Sequence, residues 1–196
     1  MTVWRLPVTL VATAALLASG SSGAFADAAP EKSIPHCVFN GINSQLNCFD
    51  KIGEAAEFIS DGSVRADTVS TSEDFEAEVV ALNAKNSPQD ANIVQAILWQ
   101  YKSFKGSTYT ILGSSTCNNW GSGENLIYGE WNDTPSSGKT YAECGVSLFE
   151  HQYYGSVIVI QINNELSSFG VMDNAASSWR TWGGVNHRLP SRLAST

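Results

Sequence analysis

The spacing of apolar and polar positions divides the chain in two. From Ile93 onward, short β-branched and aromatic runs alternate with turns rich in Gly, Ser and Asn. Candidate strands span 93–101, 107–112, 125–129, 140–149, 156–162 and 179–182. Short strands at this spacing predict an all-β sandwich. Ahead of Ile93 the pattern is different. His36-Cys37-Val38-Phe39 and Gln45-Leu46-Asn47-Cys48 flank a turn at Asn40-Gly41 and read as a hairpin. Over 51–60, Ile52, Ala55, Ala56 and Ile59 fall on one helical face, with Asp50 placed to cap and Gly62 to terminate. Residues 63–72 read as a polar linker. A second helix begins at Thr71 or Ser72, with Glu73, Asp74 and Glu76 in its first turn and an apolar stripe of Phe75, Val79 and Leu82; Asn86-Ser87-Pro88 ends it. Three residues bury little, so this helix is expected to be loosely held.

Two stretches repeat within the β-rich part. Asn132-Asp133-Thr134-Pro135-Ser136-Ser137 and Asp173-Asn174-Ala175-Ala176-Ser177-Ser178 both read as two Asn/Asp, two free positions, then Ser-Ser. One such window arises by chance on the order of once in ten thousand, so two are a strong signal. Hard cations such as Ca²⁺ take oxygen ligands from carboxylates, amides and carbonyls. Short Asn, Asp and Ser side chains also bond to the nearby backbone and curl the loop that would aim those oxygens. A second pattern precedes each loop. Trp99, Phe104 and Gly106 follow the form aromatic, four free positions, aromatic, one free position, glycine. Phe149 and Tyr154 repeat it, with Ser156 at the glycine position and Gly155 one place early. The first aromatic can fold over a hairpin, and the glycine is expected to supply a positive φ at the bend. The unit therefore occurs twice, at about 97–139 and 144–182.

On these two motifs in two copies, the C-terminal half resembles the βγ-crystallin superfamily, and Leu148–Gly155 ("LFEHQYYG") looks like its bacterial members. The resemblance implies a βγ-crystallin-like C-terminal sandwich of two Greek keys, preceded here by a small α+β segment. It also implies that the two Asx-Ser loops cross to form paired Ca²⁺ sites. Each would combine side-chain and backbone oxygens of one loop with a hydroxyl of the other. Carried over by position, the side-chain ligands are Asp133, Ser136, Asn174 and Ser177. Asn132 and Asp173 lead the loops, and Gln100 and Glu150 follow the hairpin aromatics and would offer backbone carbonyls. Pro135 and Ser156 depart from the pattern and would weaken a site. So would Asn174 where the first loop has Asp133. The stretch from Cys37 to Gly62 resembles, more weakly, a cystine-hairpin-plus-helix segment ahead of some secreted bacterial Greek-key proteins.

Composition adds the compartment. Residues 1–26 have Arg5, an apolar run over 8–17 too short to span a bilayer, and Ala24-Phe25-Ala26 as a cleavage site. They read as a signal peptide, so a secreted, extracellular protein is expected. Four cysteines then favour disulfides over zinc, since there is no CxxC and no His cluster. Three pairings are open, and the local ones, Cys37–Cys48 and Cys117–Cys144, are favoured. The chain divides into the leader, an acidic segment over 27–92, the β domain over 93–182, and a tail over 183–196 expected to be disordered. The net charge of −8 is unevenly spread: residues 27–95 hold 12 acidic and 4 basic side chains, residues 96–196 hold 7 and 6. No basic patch invites nucleic acid or an anionic membrane, and a monomer is expected.

Catalytic motifs are missing: there is no G-x-S-x-G, no H-E-x-x-H and no Gly-rich phosphate loop. His36, His151 and His187 are the only histidines, and Glu150-His151 falls in the hairpin. A non-enzymatic calcium-binding role is the first reading. A secreted inhibitor of extracellular metalloproteinases, or a killer-toxin-like protein on the same fold, is the alternative, with 113–123 as its docking loop. The tryptophans Trp99, Trp120, Trp131, Trp179 and Trp182 are read as core and corner packing.

Overall fold

The computed structural model describes residues 34–86, 92–114, 117, 123–125, 129–156 and 158–183. The leader, the tail beyond Gly183 and, from the 113–123 loop, residues 115, 116 and 118–122 lie outside them. Every described residue belongs to one compact unit.

The elements in order are β1 (His36–Asn40), β2 (Gln45–Phe49), α1 (Ile52–Ile59), α2 (Ser72–Lys85), β3 (Ile93–Tyr101), β4 (Lys105–Gly113), β5 (Gly123–Asn125), β6 (Ser137–Thr140), β7 (Cys144–Phe149), β8 (Val159–Ile162), β9 (Glu165–Leu166) and β10 (Ser178–Gly183). Sheet one runs β2-β1-β4-β3-β6-β9 and sheet two runs β5-β10-β7-β8. The third strand of each four-strand unit has crossed over: β5 pairs with β10 in the second unit's sheet, and β9 with β6 in the first's. Two Greek keys joined by exchanged strands make the predicted β sandwich. No described helix is long and apolar enough to cross a membrane.

Sheet one is buried on both faces. Cys37, Phe39, Ala96, Leu98, Tyr109 and Ile111 meet sheet two, together with Val146, Leu148 and Trp179. Val38, Val94, Ile97, Trp99 and Leu112 meet α1 and α2 on the other side. Double burial explains why β3 reads as a nearly continuous apolar run rather than an alternation. A bulge between Val94 and Ala96 shifts the phase, so that Val94 and Ile97 share a face three positions apart.

The N-terminal hairpin extends this sheet: β1 lies parallel to β4, pairing Cys37 with Tyr109 and Phe39 with Ile111. Cys37 stands opposite Cys48 and is bonded to it, and Cys117 is bonded to Cys144, the two favoured pairings. The N-cap position of helix α1 is Lys51, which makes no side-chain capping bond, so Asp50 does not have the expected role. Gly53 approaches the 66–69 segment so closely that a methyl there would overlap the Ala66 carbonyl oxygen. Helix α2 is capped by Thr71 and Asp74 in a reciprocal box.

That helix is not loosely held. Phe75 and Val79 are fully buried, and Asn83 bonds both the carbonyl and the N–H of Val94, at 2.8 and 3.0 Å. Lys139 of β6 holds Glu76 at 2.7 and 2.9 Å and lies 4.3 Å from the Phe104 ring centre. Counting stripe residues missed these polar ties.

Strand ends moved where turns needed special backbone. The expected 140–149 strand is two, β6 and β7, because Ala142 and Glu143 take left-handed φ of 53° and 57°. The expected 125–129 strand lies earlier, as β5, and a 3₁₀ turn over Gly129–Trp131 follows it. The first strands after the hairpins begin at Lys105 and Val159 rather than at 107 and 156.

Candidate metal centre

Each Asx-Ser loop is preceded by a 3₁₀ turn, Gly129–Trp131 or Gly170–Met172. The second Asx of each loop then turns left-handed: φ is 55° at Asp133 and 54° at Asn174. Asn and Asp tolerate that region better than other side chains, so the residue type serves the bend as well as any ligand. The bend brings each loop against the other. Asp133 N–H donates to the Ala176 carbonyl at 3.0 Å, and Asn174 N–H to the Pro135 carbonyl at 3.3 Å. Only the carbonyl of Pro135 is used, so its missing N–H removes nothing from this pairing.

Side chains repeat the exchange. The Ser177 hydroxyl donates to Asp133 Oδ1 at 3.0 Å, and the Ser136 hydroxyl to Asn174 Oδ1 at 3.3 Å. The backbone of each serine is anchored to its own unit, Ser136 N–H on the Trp99 carbonyl at 2.9 Å and Ser177 N–H on that of Phe149 at 2.8 Å. Gln100 and Glu150 are therefore the residues next to these anchors. Two oxygen assemblies result. One gathers Asp133 and Ser177 beside Glu150, the other Asn174 and Ser136 beside Gln100.

The last serine of each motif has a role that pattern reading left out. Ser137 Oγ donates to the Tyr101 carbonyl at 2.6 Å and accepts from Phe104 N–H at 3.1 Å. Ser178 Oγ donates to the His151 carbonyl at 2.6 Å and accepts from Tyr154 N–H at 3.1 Å. These clamps fold the two hairpins, over which the aromatic pairs close: Trp99 with Phe104 at 5.3 Å and Phe149 with Tyr154 at 5.6 Å. Ser103 and Phe104, and likewise Tyr153 and Tyr154, take the left-handed φ at the bends. Gly106 adds a φ of 79°, as expected, but Gly155 sits at −76° and does not. Ser156 instead accepts from Glu150 N–H at 3.2 Å. Of the five tryptophans that follow residues 1–26, Trp99, Trp131, Trp179 and Trp182 are buried; Trp120 lies outside the described residues.

The donors suit a hard cation. Two oxygens that ligate one Ca²⁺ at adjacent positions stand roughly 3–3.5 Å apart, the spacing found here. Asn132 Oδ1, Glu150 Oε2 and Asp173 Oδ1 are buried without a hydrogen bond, a costly condition unless something else meets them. Among the described residues no three or more His, Cys, Asp or Glu side chains are grouped so that they could hold a metal ion by themselves. An ion held here would therefore also draw on hydroxyl, amide and backbone oxygens. Asn132 orients Asp133, donating from Nδ2 to Oδ2 at 2.7 Å. Asp173 is paired with Lys102, whose ammonium lies 2.6 Å from Oδ2. Lys102 holds the Asp173 carboxyl below the usual carboxylate range.

No family model and no curated protein matches the chain. Solved structures similar to it include a βγ-crystallin domain of the Abundant Perithecial Protein from Neurospora crassa in a Ca²⁺-bound form. It is 19% identical, with 48% of this chain and 93% of that one covered and a TM-score of 0.39. The N-terminal domain of protein S is similar at 16% identity, 45% and 96% coverage and TM-score 0.37. A βγ-crystallin domain from Flavobacterium johnsoniae is similar at 18% identity, 47% and 98% coverage and TM-score 0.35. At these scores the fold rests on this chain's own strand exchange and twin loops.

The fold is of the βγ-crystallin type.

In that fold both loops of this chain meet at one place, and all four side chains named as ligands, Asp133, Ser136, Asn174 and Ser177, take part in the crossed pairs.

Proposed function

We propose that this is a secreted, non-enzymatic βγ-crystallin-type protein that binds calcium at two sites between its Asx-Ser loops, the ion stabilising the folded chain. The crossed hydroxyl–Asx pairs carry the reading: Ser177 on Asp133 and Ser136 on Asn174, each joining one loop to the other. Side-chain ligands come from these four residues, Asn132 and Asp173 shape the loops, and Gln100 and Glu150 stand where backbone carbonyls can complete each site. The paired loops exist only in the folded state, so an ion bound there shifts the folding equilibrium.

Extracellular calcium modules bind at about 10⁻⁴–10⁻³ M. At 10 mM Ca²⁺ each site would then add roughly 1.5–2.5 kcal/mol, a melting shift of roughly 3–10 °C for a domain of this size. Thermal melting in Ca²⁺ and in EDTA tests this. The shift is expected to vanish in the Asp133→Ala, Asn174→Ala double variant, and an equal melt in both buffers for the parent chain would defeat the proposal.

A further inference from the structure

We propose that Lys102 makes the two oxygen assemblies unequal: held on Asp173, it stands guard over the Asn174–Ser136 assembly, so that the first cation goes to Asp133–Ser177. The inference rests on the calcium reading above and goes beyond it by naming the residue that sets the order of filling.

The two units can be superposed residue by residue through their hairpin clamps. Ser137 holds Tyr101 and Phe104, and Ser178 holds His151 and Tyr154. Lys102 therefore corresponds to Gln152, and Asp173, first in its loop, corresponds to Asn132. On one side a hairpin ammonium meets a loop carboxylate at 2.6 Å. On the other, the corresponding residues are both neutral amides.

The asymmetry compounds. The guarded assembly has Asn174 where the other has Asp133, so its crossed pair has no carboxylate. Its nearby acid, Asp173, is already neutralised by Lys102. The unguarded assembly has the Asp133 carboxylate and lies beside Glu150, whose Oε2 is buried without a partner. A cation entering beside Asp173 must displace the Lys102 ammonium or sit within a few ångströms of it. Even at the dielectric of water, a single positive charge that close disfavours a divalent ion on the order of tenfold. The Lys102 side chain is 57% exposed, so the pair contributes little to folding, and its removal leaves the fold in place.

Calorimetric titration of the full chain with Ca²⁺ tests this. The parent should show two steps of different affinity, and Ser136→Ala should remove the weaker one alone. Lys102→Gln should tighten the weaker step on the order of tenfold and leave the stronger unchanged, whereas Lys102→Arg should behave as the parent does. Melting in EDTA should be the same for all three Lys102 forms. Two equal steps in the parent, or a weaker step that Lys102→Gln does not move, would overturn the role of Lys102 while leaving the calcium sites standing. No binding heat in the parent and in Lys102→Gln would overturn both.

Discussion

Ser177 donates its hydroxyl to Asp133 Oδ1 at 3.0 Å across 44 positions of sequence. The bond joins the last loop of one Greek key to the last loop of the other, and it sits where an ion would be held. Replacing Ser177 with Ala should do two separable things. In EDTA the chain should lose about 1 kcal/mol, the ordinary net contribution of one hydrogen bond. In Ca²⁺ it should lose the ion-dependent gain of the Asp133 site while keeping that of Asn174. Paired denaturant melts of Ser177→Ala and Ser136→Ala, each with and without Ca²⁺, read both effects. Equal calcium gains in parent and variants would show that neither hydroxyl is a ligand.

Asn83 fastens α2 to the start of β3 through both its amide oxygen and its amide nitrogen. Asn83→Leu strands the N–H and carbonyl of Val94, and part-buried backbone groups without partners cost roughly 1–3 kcal/mol each. The expected loss is about 2–4 kcal/mol in chemical denaturation. A loss below about 0.5 kcal/mol, the size of an ordinary surface substitution, would mean that α2 is held by its apolar face alone.

His36 ties stability to pH. Its Nδ1 accepts the Thr108 N–H at 3.2 Å, and burial lowers its pKa from 6.5 to about 4. The unfolded chain therefore takes up the proton first. Stability should be level above pH 6.5, fall as pH drops from there toward 4, and level off below, as far as this residue is concerned. The full drop should be on the order of 3 kcal/mol. Denaturation midpoints at pH 7.5 and 5 should differ for the parent and much less for His36→Gln, whose amide oxygen can accept the same N–H. Equal pH slopes in both would refute the assignment.

The Cys37–Cys48 bridge closes an 11-residue separation between directly opposed positions of β1 and β2. Its loss, as Cys37→Ala with Cys48→Ala, should cost roughly 3 kcal/mol by loop-closure entropy. Because β1 pairs with β4, the loss should reach the whole sandwich. A single cooperative melt shifted downward is expected. Two separate transitions, with only the first affected, would show that the hairpin folds independently.

The twin Asx-Ser loops, the aromatic hairpins, both helices and the two local disulfides were legible in the sequence, because each depends on neighbouring residues. Period, capping and turn chemistry act over a few positions, and the repeat made a faint pattern visible twice. Even the crossed loop pairs could be anticipated, through the resemblance that those motifs carry. Other features were not legible. Thr140 through Phe149 look like one strand until Ala142 and Glu143 are seen to be left-handed. Three apolar residues on α2 look insufficient until Asn83 and Lys139 are seen to reach it.

By itself, then, the sequence determined which residues could bend, cap, cross-link or offer oxygen. Tertiary structure decided which of them meet. Only folding shows β1 lying parallel to β4, sheet one covered on both faces, and Lys102 of one unit holding Asp173 of the other. Those contacts join residues dozens of positions apart, and no local preference encodes them. They arise because the two keys exchange strands and bury a common core, which brings polar corners written separately in the chain to one place.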